Sequence, residues 1–129
     1  MKTLQYLIKT IALLAIVLGC TNNSETSQET DLLELKDLKD EIDLLISQSI
    51  CADNNACDFL TFGSKACGGP KEYLVFSNSI NVADLEVKVT SYNALEKIYN
   101  MKWDIVSDCM FVLPPTNVEC INGECTAIY

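Results

Sequence analysis

The sequence predicts an α+β fold: a small antiparallel sheet of about four to five strands packed on one helix, with an additional N-terminal amphipathic helix, stabilised by disulfides. Three observations predict it. Apolar residues recur at helical spacing in two stretches, 31–49 and 82–101, with short β-rich runs between and after them. Asn122-Gly123 separates two short segments near the C-terminus. That pair is the strongest local hairpin signal, because a type I′ turn needs positive φ at both central residues. Finally, the chain carries seven cysteines, more than a thiol-poor cytosolic domain would use.

The chain opens with Lys2 and Lys9, then the apolar run Ile11 to Leu18, then Gly19 before Cys20. A positive n-region, a short apolar h-region and a small residue before a cleavage point are the grammar of an export signal. The run is far shorter than the roughly 18 to 20 apolar residues needed to span a bilayer. Val17-Leu18-Gly19-Cys20 resembles the lipobox of bacterial lipoprotein signal peptides. The resemblance implies that residues 1–19 are a signal peptide and that Cys20 becomes a lipidated N-terminus carrying a diacylglyceryl group and usually an N-acyl chain. Each buried methylene contributes about 0.8 kcal/mol and one acyl chain binds only marginally, so the implied anchor is durable because it has several chains. Thr21, rather than Asp, follows the cysteine. By the same resemblance this points to a cell-envelope protein held at the outer membrane, on either face.

Loss of residues 1–19 removes two lysines and no acid, leaving seven basic residues against 18 acidic ones and a net charge of −11. A surface that acidic repels phosphates, which excludes nucleic-acid binding and a second, electrostatic contact with anionic lipid. The membrane partnership is expected through the lipid on Cys20 alone.

Residues 20–30 are expected to be the lipidated N-terminus and a flexible tether, because Thr21 to Thr30 offers no large apolar side chain to bury. Residues 31–50 form the amphipathic helix. Leu35, Leu38, Ile42 and Leu45 recur at steps of three and four, Leu32 and Ile46 widen the stripe, and Thr30 is the expected N-cap. A stripe this short suits docking on its own domain better than a coiled coil, so a monomer is expected.

Residues 51–129 form the expected disulfide-bonded α+β domain. Cys57–Phe62 and Glu72–Ser77 read as strands, joined by the loop Gly63 to Lys71. Gly68, Gly69 and Pro70 impose a shape on that loop. Asn81 caps the second helix, whose face carries Leu85, Val89, Tyr92, Leu95 and Tyr99, with Trp103 continuing the line; the aromatic side chains are expected to be packing residues. A strand at Cys109–Leu113, a break at Pro114-Pro115 and the terminal hairpin complete the chain. In that hairpin Cys120 faces Cys125 and Val118 faces Ala127, with Tyr129 extending the same core side.

Beyond Cys20 six cysteines remain: Cys51, Cys57, Cys67, Cys109, Cys120 and Cys125. An even number in an oxidising setting reads as three disulfides, and six cysteines allow 15 connectivities. Cys120 and Cys125 suit a bridge across the hairpin; either equally reaches Cys51, Cys57 or Cys109, closing a longer loop.

The same count excludes other chemistry. Gaps of five, nine, 41, ten and four residues contain no close pair of the zinc-site kind, and the chain has no histidine. No metal or cofactor is expected. A cysteine nucleophile or a serine triad would lack its imidazole base, so no catalytic residue is assigned and the chain is expected not to be an enzyme.

The string Gly63-Ser64-Lys65-Ala66-Cys67-Gly68-Gly69-Pro70, with Tyr73-Leu74, Ser77, Ser107-Asp108-Cys109, Pro114-Pro115 and Cys120-x4-Cys125, resembles a group of small exported bacterial lipoproteins without an assigned activity. The resemblance covers most of Cys51 to Tyr129 and implies a shared scaffold, with no catalytic residue carried over. The expected function is a non-enzymatic binding module for an envelope protein or ligand, its candidate loop being Lys65, Ala66, Gly68, Gly69, Pro70 and Lys71. An alternative is a protease-inhibitor-like domain presenting Lys65-Ala66 beside a bridged cysteine. A further one is a hydrolase working with carboxylates alone.

Overall fold

The computed structural model describes residues 27–53 and 56–129. The signal segment 1–19, Cys20 and the tether as far as residue 26 lie outside the described residues. The first described element is a helix, α1, Gln28–Ser47. It is capped three residues before the expected Thr30. Ser27 takes that role, its hydroxyl accepting from the Thr30 amide at 3.2 Å. Serine is the better N-cap, and Gln28 and Glu29 are good helix formers, so the turn closes early.

Two strands follow, β1 (Cys57–Phe62) and β2 (Glu72–Ser77), paired antiparallel from Cys57 opposite Ser77 to Phe62 opposite Glu72. Helix α2 spans Val82–Lys102, with the Asn81 side chain accepting from the Asp84 amide at 3.2 Å. It closes on an αL residue. Asp104 takes φ 47°, and the Ile105 amide returns to the Asn100 carbonyl at 3.0 Å, the Schellman arrangement in which Asp replaces the usual glycine. The chain ends in the hairpin β3 (Asn117–Ile121) and β4 (Glu124–Ile128), with Cys120 opposite Cys125 and Val118 opposite Ala127. At its turn Asn122 and Gly123 have φ of 55° and 87°, as a type I′ turn requires.

The class is α+β with disulfide-distance cysteine pairs, but the sheet differs from expectation. In place of one sheet of four to five strands on one helix, the described residues form two separate two-stranded sheets, β1–β2 and β3–β4, and two helices packed on each other. Alternation identifies strand residues and faces; it does not say which edges meet. Cys109–Leu113 is not a strand. Its carbonyls are taken by side chains instead: Lys65 donates to the Met110 carbonyl at 2.8 Å and Tyr73 to that of Val112 at 3.5 Å.

Helices α1 and α2 run antiparallel. Lys88 pairs with Glu41 at one end, while Lys102 and the Trp103 indole N–H both reach the Asp31 carboxylate, at 2.6 and 2.8 Å, at the other. An acid in the first turn of α1 and a lysine in the last turn of α2 each suit the helix dipole they sit on. The core lies between these helices and the β1–β2 hairpin: Leu35, Ile42, Phe62, Phe76, Leu85, Val89 and Tyr92 are buried in one cluster, with Phe62 and Tyr92 stacked at 4.4 Å. Leu32 falls outside it, 53% exposed. Tyr129, expected on the core side of the terminal hairpin, is 73% exposed, because the core-facing side of that hairpin ends at partly buried Ala127. No helix among the described residues is long and apolar enough to cross a membrane.

Candidate functional site

The connection between β1 and β2 is held from below by one face of α2. Asn93, Glu96 and Asn100 follow one another at three and four residues, so they share a face. The Asn93 side-chain oxygen accepts from the Gly63 amide at 2.7 Å, and its nitrogen donates to the Thr61 carbonyl at 3.0 Å. Glu96 accepts from the Ser64 amide at 2.6 Å with one oxygen, and from the Lys71 ammonium at 2.6 Å with the other. Asn100 donates to the Ser64 carbonyl at 2.7 Å. Glu96 and Asn100 are buried and fully engaged, as buried polar groups must be to offset their lost hydration. Tyr92 donates to Glu96 at 3.2 Å; burial, then the adjacent carboxylate, raises its phenol well above the ordinary range.

Gly63 is the glycine of this loop where both backbone angle and close packing exclude a side chain. It has φ 75°, and a Cβ there would stand 2.9 Å from the Lys71 Cβ and 3.1 Å from Glu96 Oε2. Above it the Lys71 amide donates to the Phe62 carbonyl at 2.9 Å, and Lys65 and Gly69 close the tip, amide to carbonyl, at 2.9 Å.

The six loop residues singled out from sequence therefore divide into anchors and tip. Lys71 is an anchor through Glu96. Lys65 is another: its ammonium reaches Asp108 Oδ1 at 2.6 Å as well as the Met110 carbonyl, and its side chain is only 10% exposed. Ala66, Gly68 and Gly69 are exposed and Pro70 is partly so. The loop presents a small, uncharged tip, with Lys65 turned inward and Lys71, itself exposed, held at the base by Glu96.

Beside the tip lies an open groove of about 520 Å³, walled by Lys65 and Ala66 on one side and by Met101, Ile105 and Val106 on the other. The segment that leaves the groove at Val106 is exposed and apolar. Val106 is 91% exposed, Met110 74%, Phe111 76% and Leu113 66%. Patches of this kind on a small soluble surface mark contact sites. The sequence predicts a strand over Cys109–Leu113 and a partner-facing segment only from Leu113 to Thr116, so the exposure of Met110 and Phe111 escapes it; the Pro114-Pro115 pair is a signal that the run need not pair.

The cysteines fall into two sets. Cys51 bonds Cys120 and Cys57 bonds Cys125, with Cα separations of 5.8 and 5.6 Å. Cys67 and Cys109, expected in a third bridge, are exposed free thiols. They are neighbours: the Cys67 thiol donates to the Asp108 carbonyl at 3.2 Å and lies 3.5 Å from the Ser107 hydroxyl, which puts it against the backbone beside Cys109. The sulfurs of Cys51, Cys57 and Cys125 lie within 4.8 Å of one another, but each is committed to an S–S bond, so this cluster marks two adjacent bridges.

Comparison with protein-family models, with curated proteins and with solved structures finds no match.

Proposed function

We propose that the protein is a lipid-anchored lipoprotein of the cell envelope, held at the outer membrane through Cys20, whose folded part is a non-enzymatic module that docks a partner protein. One observation carries the docking reading: Val106 lines the groove beside a loop whose own shape is fixed by α2, and the segment that leaves the groove there exposes Met110, Phe111 and Leu113 as well. A rigid, small-residue tip beside apolar anchors provides contact area with little left to order on binding. The acidic balance of the chain favours a partner with a basic rim around an apolar centre. The inhibitor-like alternative draws less support, since Lys65 would have to leave Asp108 and the Met110 carbonyl to enter a protease pocket.

Crosslinking of the full-length chain in cells tests both halves. Cys20→Ser is expected to move the protein out of the membrane fraction. Met110→Glu with Phe111→Glu is expected to lose the crosslinked neighbour, while Leu32→Glu, on a helix away from the groove, keeps it. A neighbour retained by the double variant removes that segment from the docking surface; a membrane-bound Cys20→Ser chain removes the anchor.

A further inference from the structure

Cys67 and Cys109 sit on segments brought together only by the fold. Cys67 belongs to the loop tip and Cys109 to the connection after α2, and the Lys65 ammonium fastens the two through Asp108 Oδ1 and the Met110 carbonyl. Both thiols are exposed, and the Cys67 sulfur lies against the 107–109 backbone. Among the described residues the other four cysteines are bonded, with Cys51 buried. The pair is thus separate from the bracing disulfides in position and in access.

We propose that Cys67 and Cys109 form a thiol–disulfide exchange site, with Cys67 attacking, Cys109 resolving, and a low-molecular-weight disulfide as the reactant. The two thiols are not equivalent. The hydrogen bond from Cys109, then that from Ser107, holds Cys67 below the ordinary thiol range, and Lys65 adds to this; Cys109 is raised, first because it donates to Cys67. The sulfur that is more readily a thiolate attacks first, and it also leaves more easily when the bond is broken.

The step balances. The Cys67 thiolate attacks one sulfur of the external disulfide RSSR, giving a Cys67–SR mixed disulfide and one RS⁻. Cys109 then loses its proton and attacks Cys67 Sγ, forming the Cys67–Cys109 bond and releasing the second RS⁻. Two protein thiols are oxidised, one disulfide is reduced, and the two protons end on the two RSH released. The product ties the loop tip to the connection after α2, a join the Lys65 contacts already prefigure. Exposure and the better leaving group make this the bridge that is reduced first.

The full-length chain is equilibrated in glutathione buffers of graded potential, alkylated, and mapped by peptide mass. Two alkylatable thiols, Cys67 and Cys109, are expected to disappear together as the buffer becomes oxidising, at a potential where Cys51, Cys57, Cys120 and Cys125 stay bonded throughout. With glutathione disulfide alone, Cys109→Ser is expected to accumulate the adduct on Cys67 faster than Cys67→Ser accumulates it on Cys109. Either residue remaining alkylatable at every potential overturns the proposal. So does release of all six thiols in one step, or equal adduct rates in the two variants. The readout is covalent, so it stands or falls independently of whether the groove docks a partner.

Discussion

The half of the molecule made by α1, α2 and the β1–β2 hairpin buries seven apolar side chains in one cluster, whereas the β3–β4 hairpin buries only Val118 of its own and is fastened by two disulfides. A lone hairpin is marginal in water, and one valine does not offset the entropy of ordering ten strand residues. The first half lowers the free energy of the folded chain by burial; the second relies on bridges that raise the free energy of the unfolded one. The difference teaches which perturbation each half will feel.

The largest effect is expected from the bridges. They span 69 and 68 residues, so a single closure of that size restricts the unfolded chain by about 4 kcal/mol in the chain-entropy picture. The two loops nearly coincide. Once one bridge is closed, the other restricts a loop of only roughly a dozen residues, about 3 kcal/mol, so losing both costs about 7. Replacing all four cysteines by serine is expected to abolish hydrogen-exchange protection of the β3 and β4 amides while circular dichroism still reports α1 and α2. Helices that melt together with the hairpin would show that the halves are one cooperative unit and break the comparison.

A smaller effect, confined to the other half, is expected from Leu85→Ala. Leu85 is fully buried at the centre of the helix–hairpin cluster. Removing its side chain leaves a cavity and costs about 2 to 5 kcal/mol, read as a shift in the urea midpoint. Amides of α1, α2, β1 and β2 should lose protection together. If β3 and β4 open first in this variant, Leu85 is supporting the hairpin as well, and the division between the halves is less sharp than the burial pattern draws it.

Much of both halves was legible in the sequence because it follows period and turn rules. The strands Cys57–Phe62 and Glu72–Ser77 run as read, Asn81 caps α2, and the Asn122-Gly123 turn sets the hairpin register. What escaped was polar. Glu96 and Asn100 occupy helix positions that a binary pattern assigns to solvent, yet they are buried because the loop brings backbone amides and carbonyls down to them. Their common face with Asn93 was visible; that a loop would lie on it was not. Likewise Lys65 and Lys71 read as outward cations, since a sequence shows a charge and not its partner, yet both are paired and Lys65 is turned inward. The apolar run after Cys109 satisfies strand propensity, but propensity supplies no neighbouring edge to bond, and the run stays open.

The smallest expected effect lies at the seam where the loop meets the connection after α2. The Asp108 carboxyl is held below its ordinary value of 3.8, chiefly by the hydrogen bond from the Lys65 ammonium and then by that cation's charge. An acid depressed in the folded state contributes stability that is fully present above its unfolded pKa and is lost as pH falls through the folded one. Asp108→Asn should therefore have a lower urea midpoint than the parent from neutral pH down to about pH 5, with the two converging in more acidic buffer as Asp108 takes up its proton. The pair stands at the surface, so salt should narrow the gap as well. Asp108 also accepts from the Met110 amide at 3.3 Å, a bond that an asparagine oxygen can keep. A midpoint difference that ignores both pH and salt would assign the seam to that backbone contact. Lys65 would then be held inward by the Met110 carbonyl, and the ion pair would be a passenger on a connection fixed by its own turn.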